Sequence, residues 1–200
     1  MTRPPLAKRP FSLAILLIIG GAIGLFSSFE LTVDKFRVLT NPQAELSCDM
    51  NFLVQCSTNL ASSQGAVFGF PNPIIGLIAF TAPIVVGVAI LAGAKFARWF
   101  WLLFTVGIAL GFAFIIWLMS QSIFVLGTLC IWCMIVWAVT IPMFWTVTLF
   151  TLREGVIPSG TRARRMFAAA YSWVPFITLL SYLVIAVLAQ LRLDVISLLF

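Results

Sequence analysis

Histidine is absent from this chain of 200 residues, and that one absence removes imidazole-ligated haem, histidine-containing zinc sites and Ser-His-Asp triads from consideration. Charge is scarce as well. Only 9% of the residues are charged, roughly a third of the ~25% found in a soluble domain, whereas 62% are hydrophobic. The acids Glu30, Asp34, Glu45, Asp49, Glu154 and Asp194 all fall outside the long apolar runs. A carboxylate inside the membrane would mark a proton or ion pathway, so a secondary transporter is disfavoured. The net charge of +6 reads first as a topology signal and gives no reason to expect nucleic acid as a partner.

What is present is apolar length. Five runs approach the ~20 residues that cross a bilayer: Phe11 to Phe29, Ile74 to Gly93, Trp99 to Met119, Leu126 to Phe150 and Ala168 to Leu191. The chain is therefore expected to be an all-α integral membrane protein. The first run is longer than a secretory signal core, and Ser27-Ser28-Phe29 is a poor cleavage site, so an uncleaved span is expected there. With the N-terminus inside, the inner side receives Arg3, Lys8, Arg9, Lys95, Arg98, Arg153, Arg162, Arg164 and Arg165, nine basic residues against Lys35, Arg37 and Arg192 outside. That bias sets the expected orientation, with the C-terminus outside. The Arg162 to Arg165 cluster reads as a topology anchor, with anionic lipid headgroups as its other reading.

The outer side then holds one long connection, Glu30 to Pro73, with Cys48 and Cys56 in it. Its second half, Ser57 to Phe70, mixes small polar and apolar residues and reads as a short interfacial helix. Pro71 and Pro73 flank Asn72 and place it at the outer boundary of the second span. Ser120-Gln121-Ser122, the polar dip in a long uncharged stretch, is expected to be a tight outer turn. Cys130 and Cys133 then lie in the first turns of the fourth span, on one helix face and ~5 to 6 Å apart. All four cysteines thus share the outer side, where disulfides persist.

A helix N-terminus favours thiolate, which makes a Cys-x-x-Cys pair there fast in exchange. Redox chemistry is the leading reading. Zinc would need all four cysteines or nearby carboxylates, and an inert structural disulfide is the third alternative. Two pairs on one surface could pass two electrons in sequence by thiolate attack on disulfide sulfur. No flavin or haem motif is visible, which leaves a membrane quinone as the natural acceptor.

The same residues carry a resemblance. Cys48-x7-Cys56, then Phe68-Gly69-x-Pro71-Asn72-Pro73-x2-Gly76, then Cys130-x2-Cys133 at the opening of a later span, closely resembles the vitamin K epoxide reductase family over about residues 10 to 150. The loop pair precedes the Cys-x-x-Cys pair, the reverse of other bacterial quinone-linked thiol oxidases. The resemblance implies a four-helix bundle around a quinone site, residues 1–150 with the outer loop 30–73, followed by an additional membrane helix at 168–192, in one membrane domain. It implies that Cys48 meets a thioredoxin-fold partner, Cys56 exchanges with Cys130, and Cys133 attacks the quinone, menaquinone or ubiquinone. Ser62 matches the family serine beyond the loop pair. Asn72 matches the asparagine that bonds a quinone carbonyl, its plain alternative being a turn residue between prolines. Trp137 stands where the animal enzymes carry a quinone-contacting tyrosine and offers only an N–H donor, which points to quinone rather than epoxide reduction. Phe124 and Trp132 are further candidates for the pocket wall, with lipid-facing packing as the alternative.

Some bacterial members continue into a thioredoxin-like domain. Here the last apolar run is followed by only a few residues, so a separate exported, DsbA-like partner is expected. The expected setting is the inner or plasma membrane, spanned several times, with the cysteines facing the extracytoplasmic side. The alternatives are an enzyme acting mainly on vitamin K epoxide and a non-catalytic membrane protein stapled by disulfides.

Overall fold

The computed structural model describes residues 10–41, 46–157 and 160–196. Glu45 and the basic residues Arg3, Lys8 and Arg9 of the topology count lie outside them. Among the described residues every regular element is helical, and five helices are long and apolar enough to cross a membrane. They are α1 (Phe11–Thr40), α3 (Asn72–Leu91), α4 (Arg98–Ser120), α5 (Ile131–Arg153) and α7 (Val174–Leu193). Two short helices, α2 (Cys56–Ala61) and α6 (Thr161–Ser172), complete the set, with a 3-10 turn at Ser63–Ala66. Large apolar side chains cover the outside, such as Ile78 at 73% and Leu191 at 80% exposure. Water would oppose that arrangement and lipid accepts it. The chain is an all-α, multi-pass membrane protein.

The bundle is tightest where α1 crosses α3. Gly21 and Gly87 sit at that crossing, and a β-carbon on Gly87 would lie 2.7 Å from the Ala14 carbonyl oxygen of α1. Backbone so placed cannot move aside, so only glycine lets the helices approach this closely. Leu13, Leu17, Phe80, Val86, Met143 and Val147 fill the space between α1, α3 and α5. Phe100, Trp101 and Phe104 of α4 pack against it.

Four boundaries differ from expectation, each for a local reason. The first helix runs to Thr40, well past the apolar run, because no breaker intervenes before Asn41-Pro42 and the residue ahead of a proline is driven to extended backbone. Asn41 shows that backbone, with φ −139° and ψ 98°. The polar dip at Ser120 to Ser122 is not a turn. The helix winds on through a wide helical turn over Gln121–Leu126 and stops at Gly127, whose φ of 69° suits glycine. Ser120 donates to the Trp117 carbonyl and Ser122 to that of Thr128, so these hydroxyls need no water. The next helix consequently starts at Ile131, with Cys130 as its extended N-cap rather than inside it. Finally, the basic cluster is itself helical. It forms α6, and α7 then begins at Val174, where Pro175 takes an early helical position and Trp173 breaks the run.

Candidate active site

The site begins with a backbone tie. The Leu129 N–H donates to the Leu53 carbonyl at 2.8 Å and the Gln55 N–H to the Leu129 carbonyl at 2.8 Å, a parallel bridge between Val54 and Leu129. One residue past this bridge on each strand-like segment stand Gln55 and Cys130, and Cys56 opens α2. Side chains strengthen the tie. The Asn59 amide donates to the Thr128 hydroxyl at 2.9 Å and to the Gln55 carbonyl at 3.0 Å. The Asp49 carboxylate accepts from the Ser57 N–H at 3.1 Å, satisfying a free donor in the first turn of α2. At the other end, Lys35 of α1 reaches the Leu60 carbonyl, a cation against the negative pole of α2.

This scaffold brings the four sulfurs into one line of exchange. Cys48 and Cys56 are joined by a disulfide, with Cα atoms 5.8 Å apart. The Cys130 sulfur lies 3.3 Å from the Cys56 sulfur, and Cys130 and Cys56 are both fully buried. Cys130 and Cys133 are free thiols. The Cys133 N–H points at the Cys130 sulfur at 3.4 Å, a helix-terminal donor that favours negative charge on that atom. Cys133, one turn along, lines a cavity of about 880 Å³ that runs between α3, α4 and α5.

The cavity is mostly apolar, with polar groups at the end nearest the cysteines: Ser28, Asn59, Ser62, Gln64, Asn72, Gln121 and Ser122. Its size and its few grouped polar atoms suit a small aromatic ring carrying an apolar tail. Trp137 forms part of the wall. Ser62 also lines it, its hydroxyl donating to the Asn59 carbonyl at 2.7 Å and accepting from the Gly65 N–H at 3.2 Å. Asn72 lines it as well, but its side chain is already at work. Its oxygen accepts from the Val67 N–H at 3.0 Å, and one of its two amide N–H groups donates to the Gln64 carbonyl at 2.6 Å. Phe124 is not among the lining residues and is 46% exposed. Trp132 is not among them either; it packs edge-on against Phe26 at 5.7 Å.

Several polar side chains in the site carry no sequence motif. Asn59 stands in α2 and Gln64 in the 3-10 turn, short elements whose bounds spacing does not reveal. Asp34 is different, because its signal was there. Ser27, Leu31, Asp34, Lys35 and Val38 are all buried on one face of α1, at the three-and-four spacing of a packed helix. Continuing the helix past Phe29 would have put Asp34 inside. Among the described residues one grouping has the side chains for a metal, Cys48, Asp49 and Cys56, and its two sulfurs are bonded to each other.

No curated protein matches the chain. The sequence model of the Vitamin K epoxide reductase family does, over residues 15–148. That stretch holds all four cysteines, the bridge that aligns them and the cavity beside Cys133, and it covers more than half of the chain. The chain belongs to the vitamin K epoxide reductase family, oxidoreductases of the membrane generally associated with quinones.

Proposed function

We propose that this protein is a thiol:quinone oxidoreductase that oxidises an exported thioredoxin-fold protein and so supports disulfide formation outside the membrane. One observation supports this above the others: the Cys130 sulfur stands 3.3 Å from one sulfur of the Cys48–Cys56 disulfide, while its neighbour Cys133 lines the large apolar cavity. An inert staple would not need a third sulfur at that distance.

The exchanges follow from thiolate attack on disulfide sulfur. A partner thiolate attacks Cys48; the Cys48–Cys56 bond breaks and Cys56 leaves as thiolate. The partner's second thiolate then attacks its own sulfur in the mixed disulfide, which releases Cys48 and oxidises the partner. Cys56 attacks Cys130 of an oxidised Cys130–Cys133 pair, Cys133 leaves as thiolate, and a Cys56–Cys130 disulfide forms. Cys48 attacks Cys56, which restores the loop disulfide and releases Cys130 as thiolate beside the Cys133 N–H. The state in the structure, loop oxidised and Cys130 and Cys133 free, is the one this sequence ends on. A bound quinone, menaquinone or ubiquinone, would accept the two electrons and two protons that return Cys130 and Cys133 to a disulfide.

Within the cavity, Cys133 would face the quinone ring, Trp137 would wall it, and the second N–H of Asn72 would be available to a carbonyl, with Ser62, whose proton is held by the Asn59 carbonyl, lining the same end. The excess of basic residues on the opposite side supports an orientation with the cysteines facing out. The test is direct. The purified chain, given a reduced thioredoxin-fold protein and either quinone in detergent, should oxidise more than the one equivalent of partner that its own loop disulfide accounts for only when quinone is present. Turnover of an epoxide but not of either quinone would contradict the proposal.

A further inference from the structure

Asp34 is buried in α1, at 1% exposure, although it carries a carboxylate. Burying such a charge is unfavourable unless its oxygens find partners. One oxygen has an ordinary one: Oδ1 accepts from the Arg37 guanidinium at 3.2 Å, and the Arg37 side chain is 60% exposed. The other oxygen, Oδ2, is turned inward and lies 3.7 Å from the Cys48 sulfur. An ion pair on the rim accounts for the first contact only. The second is a carboxylate oxygen held against a reacting sulfur.

We propose that Asp34 accepts the proton of the Cys48 thiol and thereby generates the thiolate that closes the loop disulfide. The proposal deepens the relay described above and rests on it for the order of exchange. In the step itself, the Cys48 S–H bond breaks and the proton moves to Asp34 Oδ2. The Cys48 thiolate attacks Cys56 in the Cys56–Cys130 disulfide, the Cys48–Cys56 bond forms, and the electron pair of the broken bond leaves on Cys130. In the opposite phase, when the partner releases Cys48 as a thiolate, the protonated Asp34 returns the proton. A proton is thus carried at a sulfur that has almost no contact with water, since Cys48 is 4% exposed.

The surroundings suit this use. Arg37 anchors Oδ1 and fixes the direction of Oδ2. The other charged groups near Asp34 are Glu30 on the same helix and Asp49 on the loop; Lys35, the adjoining cation, is engaged by the Leu60 carbonyl. The Cys130 thiol stands on the far side of Cys56. An Asp49 carboxylate oxygen also lies within 4.8 Å of the Cys48 sulfur. Both Asp49 oxygens, however, accept from backbone N–H groups, of Ser57 and Leu46, whereas Asp34 is directed by an arginine and its Oδ2 has no second contact among the described residues.

The experiment uses the full chain with Cys48 as its single cysteine, made by Cys56→Ser, Cys130→Ser and Cys133→Ser, and follows iodoacetamide alkylation against pH. Asp34→Asn should lower the rate at about pH 7 by about 10-fold or more, and the two profiles should meet at high pH where base assistance is not needed. Asp34→Glu should restore most of the rate. A purely structural anion predicts the opposite sign, because removing a negative neighbour favours thiolate and leaves the rate unchanged or raised; that result overturns the proposal. Should Asp34→Asn fail to fold, Asp34→Glu carries the test: a rate at about pH 7 above about a third of the Asp34 value supports the role, and a lower one overturns it. Neither quinone nor partner enters this assay, so its outcome is independent of whether the chain turns over quinone.

Discussion

The amide of Asn59 offers a way to test whether sulfur alignment depends on the tie between α2 and the segment before Cys130. In Asn59→Ala the bonds to the Thr128 hydroxyl at 2.9 Å and the Gln55 carbonyl at 3.0 Å disappear. Each neutral bond of this kind is worth about 0.5 to 1.5 kcal/mol net, so the docked arrangement should lose about 1 to 3 kcal/mol. Thr128→Val removes only the hydroxyl partner and should lose about 1 kcal/mol. Because the two changes delete one shared bond, the double variant should fall short of the sum by about 1 kcal/mol. The Val54–Leu129 bridge remains and limits the loosening, so the lower part of the range is expected to reach the sulfurs. The assay uses Cys48→Ser with Cys133→Ser, which leaves Cys56 and Cys130 as the two thiols. Mild oxidation should join them readily from a starting separation of 3.3 Å. Asn59→Ala should slow that joining by about 5-fold to 10-fold, since each 1.4 kcal/mol is about tenfold in effective concentration. Thr128→Val, which does not line the cavity, should slow it by less. Rates within about 2-fold of the parent for both variants, with additive effects in the pair, would refute the reasoning.

Three further outcomes follow from the packing and the site. Gly87→Ala must push α1 from α3, because its new carbon meets the Ala14 carbonyl at 2.7 Å; a loss of about 1 to 3 kcal/mol should appear as a lower melting temperature in detergent, and an unchanged one would mean that the crossing relaxes. Trp137→Ala, in the wall beside Cys133, should raise the quinone KM by about 10-fold with a smaller effect on kcat, the pattern of lost uniform binding. In cells with intact membranes, a membrane-impermeant maleimide added outside should label Cys48 after reduction of the loop; labelling only in inverted vesicles would reverse the proposed orientation.

Much of this architecture can be read from composition and spacing, because lipid imposes a simple rule: a helix must be long and apolar to cross. The five spans and the Cys-x7-Cys and Cys-x-x-Cys pairs all come from patterns of that kind. The boundaries resisted for physical reasons. Ser120-Gln121-Ser122 looked like a turn, yet serine can satisfy itself on the preceding carbonyls of a helix, as Ser120 does with Trp117. The true stop is Gly127, where a positive φ is needed. The end of α1 is hidden in the sequence because the charges after Phe29 mark the edge of the membrane, whereas a helix leaves the bilayer without ending. That misplacement also concealed Asp34. The contact between Cys56 and Cys130 depends on the bridge from Val54 to Leu129, a backbone pairing across a long sequence separation that no local pattern encodes. Asn72 lines the cavity, and its bonds to residues 64 and 67 give it a structural duty.

The central claim is that Cys130 and Cys133 do different work, Cys130 exchanging with the loop and Cys133 passing electrons to the cavity. The most direct measurement is quinone reduction by purified Cys133→Ala supplied with a reduced thioredoxin-fold protein, alongside gel analysis of its disulfides. The account predicts that quinone reduction is abolished, that the partner reduces the Cys48–Cys56 disulfide once without its being restored, and that helix content is unchanged. Undiminished quinone reduction by Cys133→Ala would contradict it.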